Sequence, residues 1–225
     1  MNKAAFAQIE TYMLECMKDS AHDREHVVRV LYSAMDIAET ERNVNKDVLI
    51  TACLLHDIGR EEQYRNPELK HDQVGSEKAY QFLRGIGWPE ADAEHVRACI
   101  ASHSYRGGNP PESIEAKIVF DADKLDAVGT LGIARTLMYQ GIFGEPLYSV
   151  DAQGRVSDGA DDAQPSFLQE YRYKLETLYD RFFTERARQI AGERKRPAAA
   201  FYEGLLSEAR ACYAHGRRAL ESALR

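Results

Sequence analysis

The 225-residue chain is poor in several things, and each shortage excludes something. It has four cysteines, Cys16, Cys53, Cys99 and Cys212, far apart and never in a C-x-x-C pairing. A disulfide framework and a cysteine-based zinc finger are therefore not expected, and a reducing compartment is. No run approaches 18 apolar residues, and the N-terminus lacks a basic stretch followed by an apolar one. Neither a membrane span nor an export signal is expected, so the reading is cytoplasmic, with no membrane partner. Alternating strand patterns and internal repeats are nearly absent. There is no G-x-S-x-G elbow, and Gly107-Gly108 follows no strand, so it is not a P-loop. Positive charge is also short: 29 Lys and Arg against 36 Asp and Glu, a formal net charge of −7. Such a chain is not steered toward nucleic acid. A phosphate substrate would need local cations or a metal to overcome that field.

Helical periodicity is what the chain has in abundance. Phe6, Ile9, Met13 and Met17 recur at spacings of three or four within residues 2–19, and Ser20 with Asp23 resembles a capping box. Over residues 22–41, Val27, Val30, Leu31, Ala34, Ile37 and Ala38 share one face. A short apolar helix is expected over 46–58, stopped by Gly59, then helices over 72–84 and 90–103 split by "GIGWPE". A long helical stretch over 112–140 is expected to bend near Gly129 or Gly132. Residues 141–165 are rich in Gly, Pro, Asp and Ser and read as a long loop or lid. Helices over 167–190 and 197–224 follow, separated by the charged run "ERKR". The fold class is all-α: one domain of 1–225, with a core at about 20–140, the loop at 141–165 and C-terminal helices at 167–225.

Against this apolar background a few polar residues stand out. "LLHDIGR" places His56 and Asp57 directly behind Leu54 and Leu55. Buried polar groups need partners, since one left unpaired costs several kcal/mol. His26 in "HDREHVVRV" lies near the inward edge of its helix, His103 ends another, and Asp123 in "VFDADKLDAVG" shares the face of Ala127. Asp121 reads equally well as a helix cap. Imidazoles with carboxylates form the ligand set of hydrolytic metal sites.

His26, His56-Asp57 and Asp123 resemble the H…HD…D signature of the HD-domain metal-dependent phosphohydrolase superfamily. The blocks "HDREHVVRV", "ACLLHDIGR", "IASHSY" and "DADKLDAVGTLGIAR", and the tail "YKLETLYDRFFTERARQIAGER", resemble one group of small bacterial HD hydrolases. That group often carries a histidine near the position of Glu170. The resemblance implies a single-domain HD-type helical bundle with His26, His56, Asp57 and Asp123 on a divalent ion: Mn, Zn, Ni, Co, Fe or Mg. It places His71 and His103 either on a second ion bridged by Asp57 or facing the substrate, and Asp126 beside the site. His22, at i and i+4 with His26, is read as supporting a ligand from behind or facing phosphate rather than as a ligand itself. His95 and His215 are read as surface residues.

A divalent ion would lower the pKa of a bound water and polarise a phosphoryl oxygen. Asp57, Lys124 and Asp126 are the expected catalytic residues. His22, Arg60, His71, His103, Arg106 and Lys174 are the expected substrate contacts, with Lys70 a further cation. The expected partner is a small phosphate compound, a nucleotide by class, and the resemblance extends to nucleoside triphosphates cleaved to monophosphate and pyrophosphate. The lack of a "GYP" triplet counts against the cyclic-di-GMP branch. Two other readings use the same residues: a di-iron oxygenase and a nucleotide sensor without turnover. Oligomeric state stays open.

Overall fold

The computed structural model describes residues 1–17, 24–104, 108–160, 162 and 164–224. Its helices are α1 (Lys3–Cys16), α2 (Arg24–Ala38), α3 (Lys46–Leu55), α4 (Arg60–Arg65), α5 (His71–Gly85), α6 (Glu90–Ala101), α7 (Ile114–Leu125), α8 (Gly129–Phe143), α9 (Phe167–Glu170) and α10 (Glu185–Ala223). Among the described residues the only β pairing is an isolated antiparallel bridge, Val150 with Val156. The fold is all-α, as expected. No helix among the described residues is long and apolar enough to cross a membrane. The chain separates into two compact units. The first is Met1–Asp126 with Phe182–Ala187, and the second is Ala127–Arg181 with Arg188–Arg225. That division falls inside the span of about 20–140 expected for the metal-binding core.

In the first unit α3 is the hub, packing against α1, α2, α5, α6 and α7. Val48, Leu49, Thr51, Ala52, Cys53, Leu54 and Leu55 are all buried. A helix that is apolar all round belongs inside, and its start is fixed by Asn45, whose side chain accepts from the Asp47 and Val48 amides. The expected inward face of α2 is found: Val27, Val30, Leu31, Ala34, Ile37 and Ala38 are buried.

Gly59 has a different job from the helix stop expected of it. A Cβ there would lie 2.3 Å from the His71 carbonyl oxygen and 2.6 Å from the Gly75 amide nitrogen. The residue is small because the turn after α3 presses against the first turns of α5. Lys78 of α5 braces the same turn, donating to Ile58 O at 2.9 Å and Glu62 Oε1 at 2.7 Å.

Other boundaries move. The 112–140 stretch is two helices, parted at residues 126–128, with Gly129 at φ +75°; that left-handed conformation is one glycine adopts without strain. The C-terminal helices fall differently. After α9 the backbone makes a π turn over Tyr171–Leu175 and a 3-10 turn over Glu176–Asp180. Then α10 runs unbroken through "ERKR" with Pro197 inside it. The proline removes its own amide from the ladder and crowds the carbonyl four residues back, a local cost that the good helix formers on both sides carry the helix through. The short helix α4 was not expected, and the Ser20–Asp23 capping box lies outside the described residues.

Candidate metal centre

The enclosed end of α3 determines where the site is. His56 and Asp57 follow in the turn, and both are buried. His56 Nδ1 donates to Cys53 O at 2.8 Å, which fixes the tautomer and leaves Nε2 facing inward. His26 enters from α2 with Nδ1 hydrogen-bonded to Asp126 Oδ2 at 2.7 Å. His103, just past α6, donates from Nδ1 to Ile100 O at 2.6 Å. Asp123 comes from the last turn of α7, and His71 is the first residue of α5. Local hydrogen bonds thus aim three Nε2 atoms at one place.

Two overlapping groups result. His26 Nε2 and His56 Nε2 are 3.2 Å apart. Asp123 Oδ1 lies 3.4 Å from the first and 4.0 Å from the second. Asp57 Oδ2 lies 3.6 Å from each. The other Asp57 oxygen, Oδ1, lies 3.5 Å from His103 Nε2 and 3.8 Å from His71 Nε2. His26, His56 and Asp123 could hold one metal ion, and Asp57, His71 and His103 a second.

The donor atoms themselves test that fit. With His26 Nδ1 and His56 Nδ1 both turned to acceptors, the two Nε2 atoms lie 3.2 Å apart, so without an ion the contact needs a second proton on one of the two rings. Asp57 Oδ2, His71 Nε2 and His103 Nε2 are buried without any hydrogen-bond partner. Leaving such atoms unmet costs about 1–3 kcal/mol each, more for a charged group. A divalent cation suits nitrogen and oxygen donors of this kind: one between His26, His56 and Asp123 would meet Asp57 Oδ2, and His71 and His103 would need a second ion or a bound anion's hydroxyl or water.

Charges in the cluster are sharply divided. Burial alone would push the His26 imidazole down, but the hydrogen bond to Asp126 and the nearby carboxylates of Asp57 and Asp123 carry it up to about 9. Burial dominates at His56, pushed down to about 4. It also dominates at His71, lowered to about 3 by burial with the Arg60 charge adding to it. Burial opposes ionisation of both carboxyls, yet Arg60 and His56 hold Asp57, and Lys124 and His56 hold Asp123, well below the usual carboxylate range.

Comparisons with known proteins identify the family. The HD domain family matches residues 24–128. The protein YpgQ of Bacillus subtilis (strain 168) is 33% identical over 193 residues, 83% of this chain and 85% of that one. This chain belongs to the HD-domain phosphohydrolase family. The crystal structure of Bacillus subtilis YpgQ in complex with ADP is similar to this HD protein with a TM-score of 0.68 at 31% identity, over 90% of this chain and 97% of YpgQ. An HD-superfamily hydrolase from Bacillus thuringiensis is similar with a TM-score of 0.69 at 28% identity, over 92% of this chain and 97% of that one.

In this HD protein the expected residues meet unequally. His26, His56, Asp57, Asp123, His71 and His103 come together. Lys124 is buried beside them, its Nζ 2.6 Å from Asp123 Oδ2, 3.1 Å from His103 O and 5.0 Å from the Phe120 ring centroid. Arg60 donates from Nε to Asp57 Oδ1 at 2.8 Å. Both cations therefore meet carboxylates of the cluster. Asp126 holds His26 and also takes two hydrogen bonds from Arg29, at 2.7 and 3.0 Å. Lys174, in the second unit, pairs with Glu170. Lys70 is exposed at the start of α5. His22 and Arg106 lie outside the described residues.

Asp121 is not a cap of its own helix: it lies inside α7, whose N-cap is Ser113, and its carboxylate is used elsewhere in the unit. It accepts from the Phe183 amide at 2.9 Å, the Thr184 amide at 2.7 Å and Thr184 Oγ1 at 2.7 Å, at the start of α10. His215 is exposed, as read. His95 is not a free surface residue: its Nε2 lies 3.0 Å from Ser113 Oγ and 3.2 Å from Glu115 Oε2. The residue sequence reasoning missed is Arg29. Its signal was spacing: it stands three residues after His26 on the same helix, where i and i+3 side chains share a face.

Proposed function

We propose that this protein is a metal-dependent phosphohydrolase that cleaves a nucleotide or related phosphoester or phosphoanhydride with a metal-activated water. The observation that carries this reading is that buried Nε2 and carboxylate oxygen atoms without a hydrogen-bond partner lie among two adjoining groups of residues, each able to hold a metal ion. His26, His56, Asp57 and Asp123 would hold the ion. When bound, it supplies a water of lowered pKa and an electrophile for a phosphoryl oxygen. Asp126 keeps the His26 proton on Nδ1 and so keeps Nε2 a ligand. Lys124 neutralises Asp123 and sets its orientation. His71 and His103 present nitrogen atoms toward the reacting region, where they can meet phosphate oxygens.

The nucleotide class is supported by the ADP seen with YpgQ, a relative at 31% identity over most of both chains. Within that class we read nucleoside triphosphates, cleaved to monophosphate and pyrophosphate, as substrates. The four free cysteines fit a cytoplasmic setting. The test is a screen of nucleotides and general phosphoesters with Mn2+, Co2+, Ni2+, Zn2+, Fe2+ or Mg2+, measuring phosphate and pyrophosphate separately. Turnover that persists at wild-type rate in Asp57→Ala removes this site from the reaction.

The Asp57, His71 and His103 group favours a second reading, since two ions would also suit a di-iron oxygenase. Iron content with oxygen uptake, and no phosphate release, would select it.

A further inference from the structure

Asp57 has two oxygens, and they serve different neighbours. Oδ2 faces His26 and His56, each at 3.6 Å, and has no hydrogen-bond donor. Oδ1 faces His71 and His103, but it is already taken: Arg60 Nε donates to it at 2.8 Å, closer than either imidazole. The guanidinium is tethered there. Arg60 opens α4, one residue past the Gly59 turn that presses on α5, and its Nη1 reaches Gln63 Oε1 at 3.4 Å.

We infer that Arg60 determines how many metal ions this site holds: its guanidinium occupies the Asp57 oxygen that a second ion would need, so the protein carries one ion, on the His26–His56–Asp123 side. This rests on the metal-centre reading above and goes beyond it. Two effects work together. Among the described residues a cation on the His71–His103 side has Asp57 as its only carboxylate, and the oxygen facing that side is Oδ1. It would also stand against a fixed positive charge, and like charges repel strongly in a low-dielectric interior. Arg60 thus stands in for the second ion. The imidazoles of His71 and His103 are left to the substrate, and the one-metal hydrolase is favoured over a two-metal oxygenase.

The test is Mn2+ uptake, read by elemental analysis and by electron paramagnetic resonance, without reference to turnover. The wild type should bind one equivalent and give an isolated six-line signal. Arg60→Met should bind a second equivalent on the order of tenfold or more tightly than the wild type does, the scale on which outer groups tune metal sites. It should show the signature of a coupled pair, lost again in Arg60→Met/His103→Ala. Arg60→Lys keeps the charge and should stay at one. If Arg60→Met does not fold, His103→Ala decides alone: its Mn2+ content should remain one, and a drop relative to wild type overturns the inference. Two equal, tight equivalents in the wild type, or a folded Arg60→Met that stays at one, also overturn it. A wild type that takes up no Mn2+ removes the metal-centre reading and this inference with it, whereas failure at the Arg60 step leaves that reading intact.

Discussion

The first unit contains two groups built from the same residue types and finished in opposite ways. At one, Glu115 is buried with Oε1 accepting from the Asn45 amide at 2.7 Å and Oε2 3.2 Å from His95 Nε2. His95 also meets Ser113 Oγ, which caps α7 through the Ala116 amide at 3.1 Å. Both carboxylate oxygens there have a partner, and the group ties α3, α6 and α7 together. At the other, His26, His56, Asp57, Asp123, His71 and His103 crowd together and three buried atoms go unmet. Histidine beside carboxylate is therefore no mark of a site. What separates the two groups is that the first satisfies its polar atoms within the chain, whereas the second leaves several unmet ligand-type atoms side by side.

That contrast can be attacked from several sides. The largest effect is expected for Asp57→Ala, the residue whose two oxygens face the His26–His56 and the His71–His103 pairs. Activity should fall to the assay background and Mn2+ uptake should be lost, while the helical circular dichroism spectrum persists; retained metal would erase the distinction drawn here. Next comes pH. The metal-free His26 imidazole holds its proton up to about 9, and that proton competes with the ion. Mn2+ affinity should rise with pH by about tenfold per unit toward 9, with proton release on binding measured by calorimetry in buffers of different ionisation enthalpy. A flat profile would show that His26 is not displaced from its proton.

Asp126→Ala should weaken Mn2+ binding by about 10–100-fold, because His26 loses the acceptor that fixes its tautomer. At the satisfied group the consequences should be thermodynamic only. Glu115→Ala should lower stability by about 1–3 kcal/mol in urea unfolding, leaving the Asn45 amide unmet, with metal content unchanged. The smallest effect is expected at His95→Ala, at most about 1 kcal/mol, since the imidazole is partly exposed and solvent screens its pair with Glu115. Loss of Mn2+ in either variant would show that the two groups are coupled.

Much of the helical plan was legible because burial repeats with the helix. The inward face of α2 and the apolar run of α3 could be read from spacing alone, since tertiary contacts reinforced what periodicity already favoured. The exceptions have physical causes. The charged run "ERKR" read as a break between two helices, but charge alone does not end a helix built of good helix formers, and α10 continues through it and past Pro197. The break before Gly129 rests on a left-handed backbone that spacing does not report. Gly59 read as a stop because a glycine's chain neighbours are visible in sequence and its spatial ones, the His71 carbonyl and the Gly75 amide, are not.

By itself the sequence determined which segments are helical, that imidazoles and carboxylates sit among apolar neighbours, and which known family those blocks resemble. Only the tertiary structure decided how these groups are shared out. It separated Asp121, met by the amides of Phe183 and Thr184, from Asp123, two residues away and facing the cluster. It set His95 against Glu115 and Arg29 against Asp126, and it placed Arg60 on one oxygen of Asp57 while leaving the other to His26 and His56. The reason is that hydrogen bonding and charge pairing act over about 3–4 Å, and the partners in question are mostly tens of residues apart along the chain.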